Sequence, residues 1–96
     1  MQNAFDDIEC DPAKAATNRS KHGVSFSCAE EALYDPLAIT IEDLDAVGEC
    51  RLVTLGLDCA GRLPIVVHTP RNGRTRLISA RKASKREMGQ YHAQGI

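Results

Sequence analysis

The dipeptide Asn72-Gly73 constrains this chain more than any other feature. Both residues tolerate the positive φ of a two-residue type I′ turn. The flanking segments, Leu63–Thr69 and Arg74–Arg81, read as strands. The pair therefore predicts a β-hairpin, and a two-residue turn sets its register: Arg71 opposite Arg74, Thr69 opposite Arg76, Val67 opposite Ile78 and Ile65 opposite Ala80. Directly paired residues share a face. A regular ladder puts Ile65, Val67, Ile78 and Ala80 on an apolar core face, with Arg76 at its end. The opposite face then presents Val66, His68, Leu77, Ser79 and Arg81. Pro64 has no N–H to donate, which places it at a strand start or an edge.

Upstream, the pattern turns helical. Ala4–Cys10 reads as a short strand. Asp11-Pro12 then opens a helix, Asp as N-cap and Pro at the first helical position, and Gly23 closes it after His22. Lys14, Asn18, Lys21 and His22 share one face of it. Ser25 or Ser27 starts a second helix, with Ser27-Cys28-Ala29-Glu30 fitting a capping box, and Asp35-Pro36 ends it. Leu37–Ile41 and Arg51–Leu57 read as strands around an acidic loop, Glu42–Glu49. Ser84-Lys85-Arg86-Glu87 fits another capping box and starts a last helix that runs to about His92. The predicted fold is α+β: an antiparallel sheet of three to four strands, with two N-terminal helices and a C-terminal helix on one face.

At 96 residues the chain holds one domain, spanning 1–96. Its acidic start has no apolar h-region, and no apolar run approaches the length of a membrane span, so a soluble cytoplasmic protein is expected. Cys10, Cys28, Cys50 and Cys59 show neither C-x-x-C nor a close Cys/His pair. They read as free thiols, with a structural zinc site as the remote alternative; no metal and no cofactor are expected.

The net charge of −1 conceals an asymmetry. Residues 1–50 carry three cations against eleven acids, whereas residues 51–96 carry nine cations, seven of them Arg, against two acids. Guanidinium offers a rigid donor fork for phosphate or carboxylate. An Arg-rich sheet face bearing a His suits metal-free phosphodiester chemistry on RNA, in which the 2′-hydroxyl attacks the neighbouring phosphate. Such chemistry needs a base, an acid and cations. The plainer reading is a basic surface paired with the acidic half.

Three blocks carry a resemblance: Asp11-Pro12-x-Lys14-x3-Asn18-x2-Lys21-His22-Gly23-Val24-Ser25-Phe26, then Arg51-x4-Gly56, then Arg76-x-Ile78-Ser79-Ala80-Arg81-x-Ala83-x3-Glu87-x3-Tyr91. In this order they resemble the BrnT family of toxins across nearly the whole chain. The resemblance implies a RelE-like fold and a ribonuclease of a type II toxin–antitoxin system that stops translation. It also implies a BrnA-like antitoxin with a DNA-binding domain, through which alone the pair would reach operator DNA. The motif residues carried over are Lys14, Lys21, His22, Arg51, Arg76, Arg81, Glu87 and Tyr91. The expected catalytic set is Arg81, Arg76, His68, His22 and Tyr91, His68 resting on the hairpin register rather than on the motif. The expected RNA-binding set is Lys14, Lys21, Arg51 and Arg74. Several have structural alternatives: helix capping for Lys21 and His22, an ion pair with an N-terminal acid for Arg76, the capping box for Glu87 and packing for Tyr91. The alternative function is a module of the same fold that binds RNA or protein without cutting.

Overall fold

The computed structural model describes residues 8–94. In chain order the elements are β1 (Ile8–Glu9), α1 (Pro12–His22), α2 (Phe26–Leu33), β2 (Ile39–Glu42), β3 (Leu52–Leu55), β4 (Pro64–Arg71), β5 (Arg74–Lys82) and α3 (Lys85–Ala93). The strands form one sheet in the order β1-β5-β4-β3-β2. All neighbours are antiparallel except β1, which runs parallel to β5. The sheet is thus five-stranded and mixed, not the three to four antiparallel strands expected. Only Ile8 and Glu9 of the predicted first strand are in the ladder, and residues 4–7 of that segment lie outside the described residues.

The helix signals act at the backbone. Asp11 accepts the Ala13 N–H, and Gly23 ends α1 at φ 72°, its N–H reaching the Arg19 carbonyl. Ser25, not Ser27, caps α2: Ser25 is extended and accepts from the Cys28 N–H, while Ser27 already lies inside the first turn. Ser84 and Glu87 form the reciprocal capping box of α3. Asn72 and Gly73 take φ values of 53° and 75°, as the hairpin turn requires.

Near the turn the β4–β5 register is the one the turn dictates: Arg71 opposite Arg74 and Thr69 opposite Arg76. Beyond His68 it slips. His68 pairs with Leu77, but Val67 pairs with Ser79, leaving Ile78 as the extra residue of a β-bulge. The face assignment changes with it. Val66, His68, Leu77 and Ala80 now share one face; Ile65, Val67, Thr69, Arg76, Ser79 and Arg81 share the other. Expecting Ile65, Val67, Ile78 and Ala80 to form the helix-covered core together was therefore wrong: the inserted Ile78 inverts β5 beyond it, so Ala80 joins Val66 and Leu77 against α2 while Ile65 and Val67 stay on the face of Arg76.

The first face carries the main core. Val66, Leu77 and Ala80 pack with Val24 and with Phe26, Ala29, Ala32 and Leu33 of α2. Gly56 completes the fit: a Cβ there would collide with the Ala32 carbonyl oxygen, so α2 can approach only a glycine. Asn18 of α1 is buried and binds the outer edge of β5. It donates to the Ala80 and Val24 carbonyls and accepts from the Ala80 N–H. An edge that would otherwise be open is thereby closed by a side-chain amide.

On the second face, Leu55 and Ile65 pack with Tyr91 of α3. The C-terminal helix thus covers the opposite side of the sheet from α1 and α2, a correction to the expected single helical layer. Its Tyr91 hydroxyl donates to Asp35 and its Gln94 amide to the Leu37 carbonyl. These bonds tie α3 to the segment between α2 and β2.

Candidate functional site

The bulge has a consequence for chemistry. Arg76 and Arg81 are five positions apart, and an odd separation in a regular strand would aim them at opposite faces. Ile78 absorbs one position, so both point to the α3 side with Ser79 between them. Arg74 and Arg71, paired across the turn, belong to the same face. So does Arg51, two residues before Val53, the partner of Val67. Because α3 covers only the Leu55–Ile65 end, the rest of the face is an open, arginine-bordered surface floored by the half-buried Val53 and Val67.

Carboxylates partly neutralise this surface. Glu9 of β1 lies 3.6 Å from Arg74 and 3.7 Å from Arg76. Glu49 lies 3.0 Å from Arg51 and 3.6 Å from Arg71. Glu87 binds Arg81 through two parallel hydrogen bonds of 2.8 and 2.9 Å. The Arg81 guanidinium, helped by the Ser84 N–H, pulls the Glu87 carboxyl down to about 2. Five arginines thus face three carboxylates, leaving an excess of positive charge. Glu9 is the N-terminal acid of the ion-pair alternative given for Arg76, whereas Glu49, two residues from Arg51 and far in sequence from Arg71, was not anticipated.

Lys14 and Lys21 line a second feature. With Ala13, Thr17, Asn18 and His22 of α1, and Ile78 and Ser79 of β5, they border a groove of about 310 Å³ along the sheet edge. Ser79 belongs both to this groove and to the arginine face, so the α1 cations and the β5 arginines meet at that residue. His22 sits half-buried at the end of α1 and is the histidine of this groove.

Two expected catalytic residues are placed elsewhere. His68 is 2% exposed and lies on the α1/α2 face. Its Nε2 is 2.8 Å from Thr54 Oγ1, which is 2.8 Å from Thr40 Oγ1, a polar ladder across β4, β3 and β2. Burial pushes the His68 pKa down, favouring the neutral ring. The expectation of a solvent-facing proton carrier is therefore corrected: His68 pairs with Leu77 as the turn dictates, but α1 and α2 cover that face. Tyr91 is also buried. Burial first, and then its bond to Asp35, push its hydroxyl up to about 12. It anchors α3, the packing alternative. Ser79, expected on the face of Arg81, also joins that face to the groove, and the role missed was that of Asn18, which orients α1 on β5. Asn18 lay inside the first motif block, but nothing in sequence spacing links it to Ala80.

Among the described residues, the one group of three or more side chains close enough to share a metal ion is Cys28, Glu31 and Asp58. It belongs to α2 and the turn after β3, not to the arginine face.

This architecture has known counterparts. Residues 10–87 match the family described as ribonuclease toxin, BrnT, of type II toxin–antitoxin system. The fold matches the crystal structure of the Brucella abortus ribonuclease toxin, BrnT, with a TM-score of 0.63 and 27% sequence identity. The match covers 81% of this chain and 96% of that one. No curated protein sequence matches significantly. The chain belongs to the BrnT family of ribonuclease toxins, and membership of a type II system implies a protein antitoxin as partner. No helix among the described residues is long and apolar enough to cross a membrane.

Proposed function

We propose that this chain is a metal-independent endoribonuclease of RelE-like arrangement that inhibits translation in the cytoplasm. A BrnA-like antitoxin neutralises it and carries the DNA-binding domain that brings the pair to operator DNA. The observation that best supports the reading is the β5 bulge, which collects Arg76, Ser79 and Arg81 on one open face beside a groove holding Lys14, Lys21 and His22. The RNA backbone crosses this face. Arg51, Arg74, Lys14 and Lys21 bind phosphates, and each neutralised phosphate releases counterions. Arg76 and Arg81 stand about 13 Å apart along the strand, four regular steps of about 3.3 Å. Their side chains converge from both sides on a phosphate held over Ser79.

In the reaction the 2′-hydroxyl loses its proton, attacks the adjacent phosphorus and expels the 5′-oxygen, which is protonated. The products are a 2′,3′-cyclic phosphate and a 5′-hydroxyl. Arg81 stabilises the dianionic transition state with preorganised N–H donors once Glu87 yields one of its two bonds. His22 takes or gives the proton, since imidazole can do either near neutral pH. The deciding experiment incubates RNA with purified protein in excess EDTA and identifies the ends. Cleavage to 2′,3′-cyclic phosphate is expected; activity that disappears with chelator and returns with Mg²⁺ would overturn the mechanism. The ion-paired state of the arginines favours a second reading, a module that binds RNA or a protein without cutting. RNA binding with no new ends would select it.

A further inference from the structure

A cluster of soft and hard donors lies apart from the arginine face, on the helix that covers the other side of the sheet. Cys28 and Glu31 are three positions apart on α2 and therefore share a helical face. The turn after β3 brings Asp58 and Cys59 against them. Donor atoms of Cys28, Glu31 and Asp58 all lie within 4.8 Å of one another, and Cys59 Sγ is 2.7 Å from Glu31 Oε2. We infer that Cys28, Glu31, Asp58 and Cys59 form a binding site for a thiophilic divalent cation such as Zn²⁺, clamping α2 to the β3–β4 turn.

Two thiolates and two carboxylates are a donor set that tetrahedral zinc accepts. With bonds of about 2.0–2.3 Å, the ligand atoms of such a site stand about 3.3–3.8 Å apart. The donors of Cys28, Glu31 and Asp58 are within about 1 Å of that, and Cys59, already against Glu31, completes the set by rotation of its exposed side chain. Asp58 is already oriented: its Oδ1 accepts from the Ala60 and Arg62 N–H groups, the kind of backbone support that holds a metal-ligating carboxylate in place. Its Oδ2 is held by Arg62 Nε at 3.0 Å, and the same guanidinium touches Cys28 Sγ at 2.9 Å. Arg62 thus holds a positive charge against two of the same donors, Asp58 and Cys28. Its side chain is 62% exposed, so it can swing into solvent, and the incoming cation then balances the buried Asp58 carboxylate it leaves. On binding, each thiol gives a proton to solvent and its sulfur donates to the cation; nothing is oxidised or reduced. The cation is structural, so RNA cleavage in EDTA, tested separately, is compatible with it.

Co²⁺ is the probe, because thiolate-to-cobalt charge transfer reports sulfur ligation directly. Titration of the reduced full-length protein should give a charge-transfer band and intense tetrahedral d–d absorption, saturating at a single equivalent and bleached by Zn²⁺. Cys59→Ser and Cys28→Ser should each weaken Co²⁺ binding by about tenfold or more and reduce the band. Cys10→Ser and Cys50→Ser should leave both unchanged. Cys59 is exposed, so its substitution tests the site without threatening the fold. Absence of the band in reduced wild type overturns the proposal. So does a band that survives Cys59→Ser and Cys28→Ser but is lost with Cys10→Ser or Cys50→Ser.

Discussion

The two faces of the sheet are made from the same strands and do opposite things. One is sealed: Val66, Leu77 and Ala80 lie against α2, and the polar residues there, His68 and Thr54, bond each other. The other is closed only where Tyr91 meets Leu55 and Ile65, and elsewhere it displays arginines held by Glu9, Glu49 and Glu87. Alternating residues of β4 and β5 therefore split between stability and recognition. A single extra residue, Ile78, decides which residue goes to which task. Damage to the two faces should separate cleanly in experiment.

The largest effect is expected on the sealed face. Leu77 is 1% exposed in the middle of the main core. Leu77→Ala removes buried methyl groups and leaves a cavity, at a cost of about 2–5 kcal/mol. Denaturant unfolding should show the loss, while RNA cleavage per folded molecule stays close to wild type. An equal fall in activity per folded molecule would show that the faces are not independent.

Arg81→Ala reverses the pattern. If its guanidinium stabilises the transition state, the rate should fall about 10²–10³-fold, the range for loss of one preorganised donor. Stability should change by less than about 1 kcal/mol, because the pair with Glu87 is partly exposed. Growth arrest and melting temperature, measured together, separate the outcomes. An unfolded variant makes Arg81 a structural ion pair, and a folded, fully toxic one moves the active site toward Lys21 and His22.

Local signals in the sequence reported local structure well. Asp11, Gly23, Ser84 with Glu87, and Asn72-Gly73 each act through their own backbone neighbours, so the ends of α1, the start of α3 and the hairpin turn were legible. The Ile78 bulge was not, because it depends on what β5 meets on both sides: β4 on one, and on the other Asn18, whose amide binds Ala80. An apolar alternation read through residue 78 gives a coherent but inverted face. That apolar set made the Ile65 face look like the helix-covered one, so His68, paired with Leu77 as expected, was assigned to solvent. The pairing of Ile8 and Glu9 with β5 was equally hidden, since two residues carry no period. Among the site residues, Lys14, Lys21 and His22 could be placed together because one helix face holds them. The companionship of Arg76 and Arg81 could not be read from spacing at all.

Acid should distinguish the faces in two stages. His68 has a pKa below its ordinary value of 6.5, so its neutral form stabilises the fold fully above that pH. That contribution erodes as pH falls below 6.5, because the unfolded chain takes up a proton that the folded one resists. Glu87 also has a lowered pKa, about 2 against 4.5, so its contribution is intact above 4.5 and is lost only as pH falls from there toward about 2. Unfolding free energy measured against pH should therefore slope in mild acid and again in strong acid. His68→Gln should flatten the first slope and Glu87→Gln the second. A first slope unchanged in His68→Gln would assign it to another group.

The smallest effect concerns the carboxylates that restrain the open face. Glu9 stands 3.6 Å from Arg74 and 3.7 Å from Arg76, each pair partly exposed. Surface pairs of this kind are worth about 0.2–1 kcal/mol, which is also what RNA must overcome to take an arginine from its partner. Glu9→Gln should therefore leave stability nearly unchanged and tighten RNA binding by at most about fivefold, 1.4 kcal/mol being tenfold. The measurement is best made in the Arg81→Ala background, where slow cleavage leaves the RNA intact. In both proteins the logarithm of affinity should fall with log[salt] by about 0.7 for each single-strand phosphate neutralised. Releasing Arg74 and Arg76 should steepen that slope if RNA crosses the face. An affinity and a slope that ignore Glu9 would place the RNA elsewhere, and the α1 groove with Lys14 and Lys21 would then be the surface to mutate.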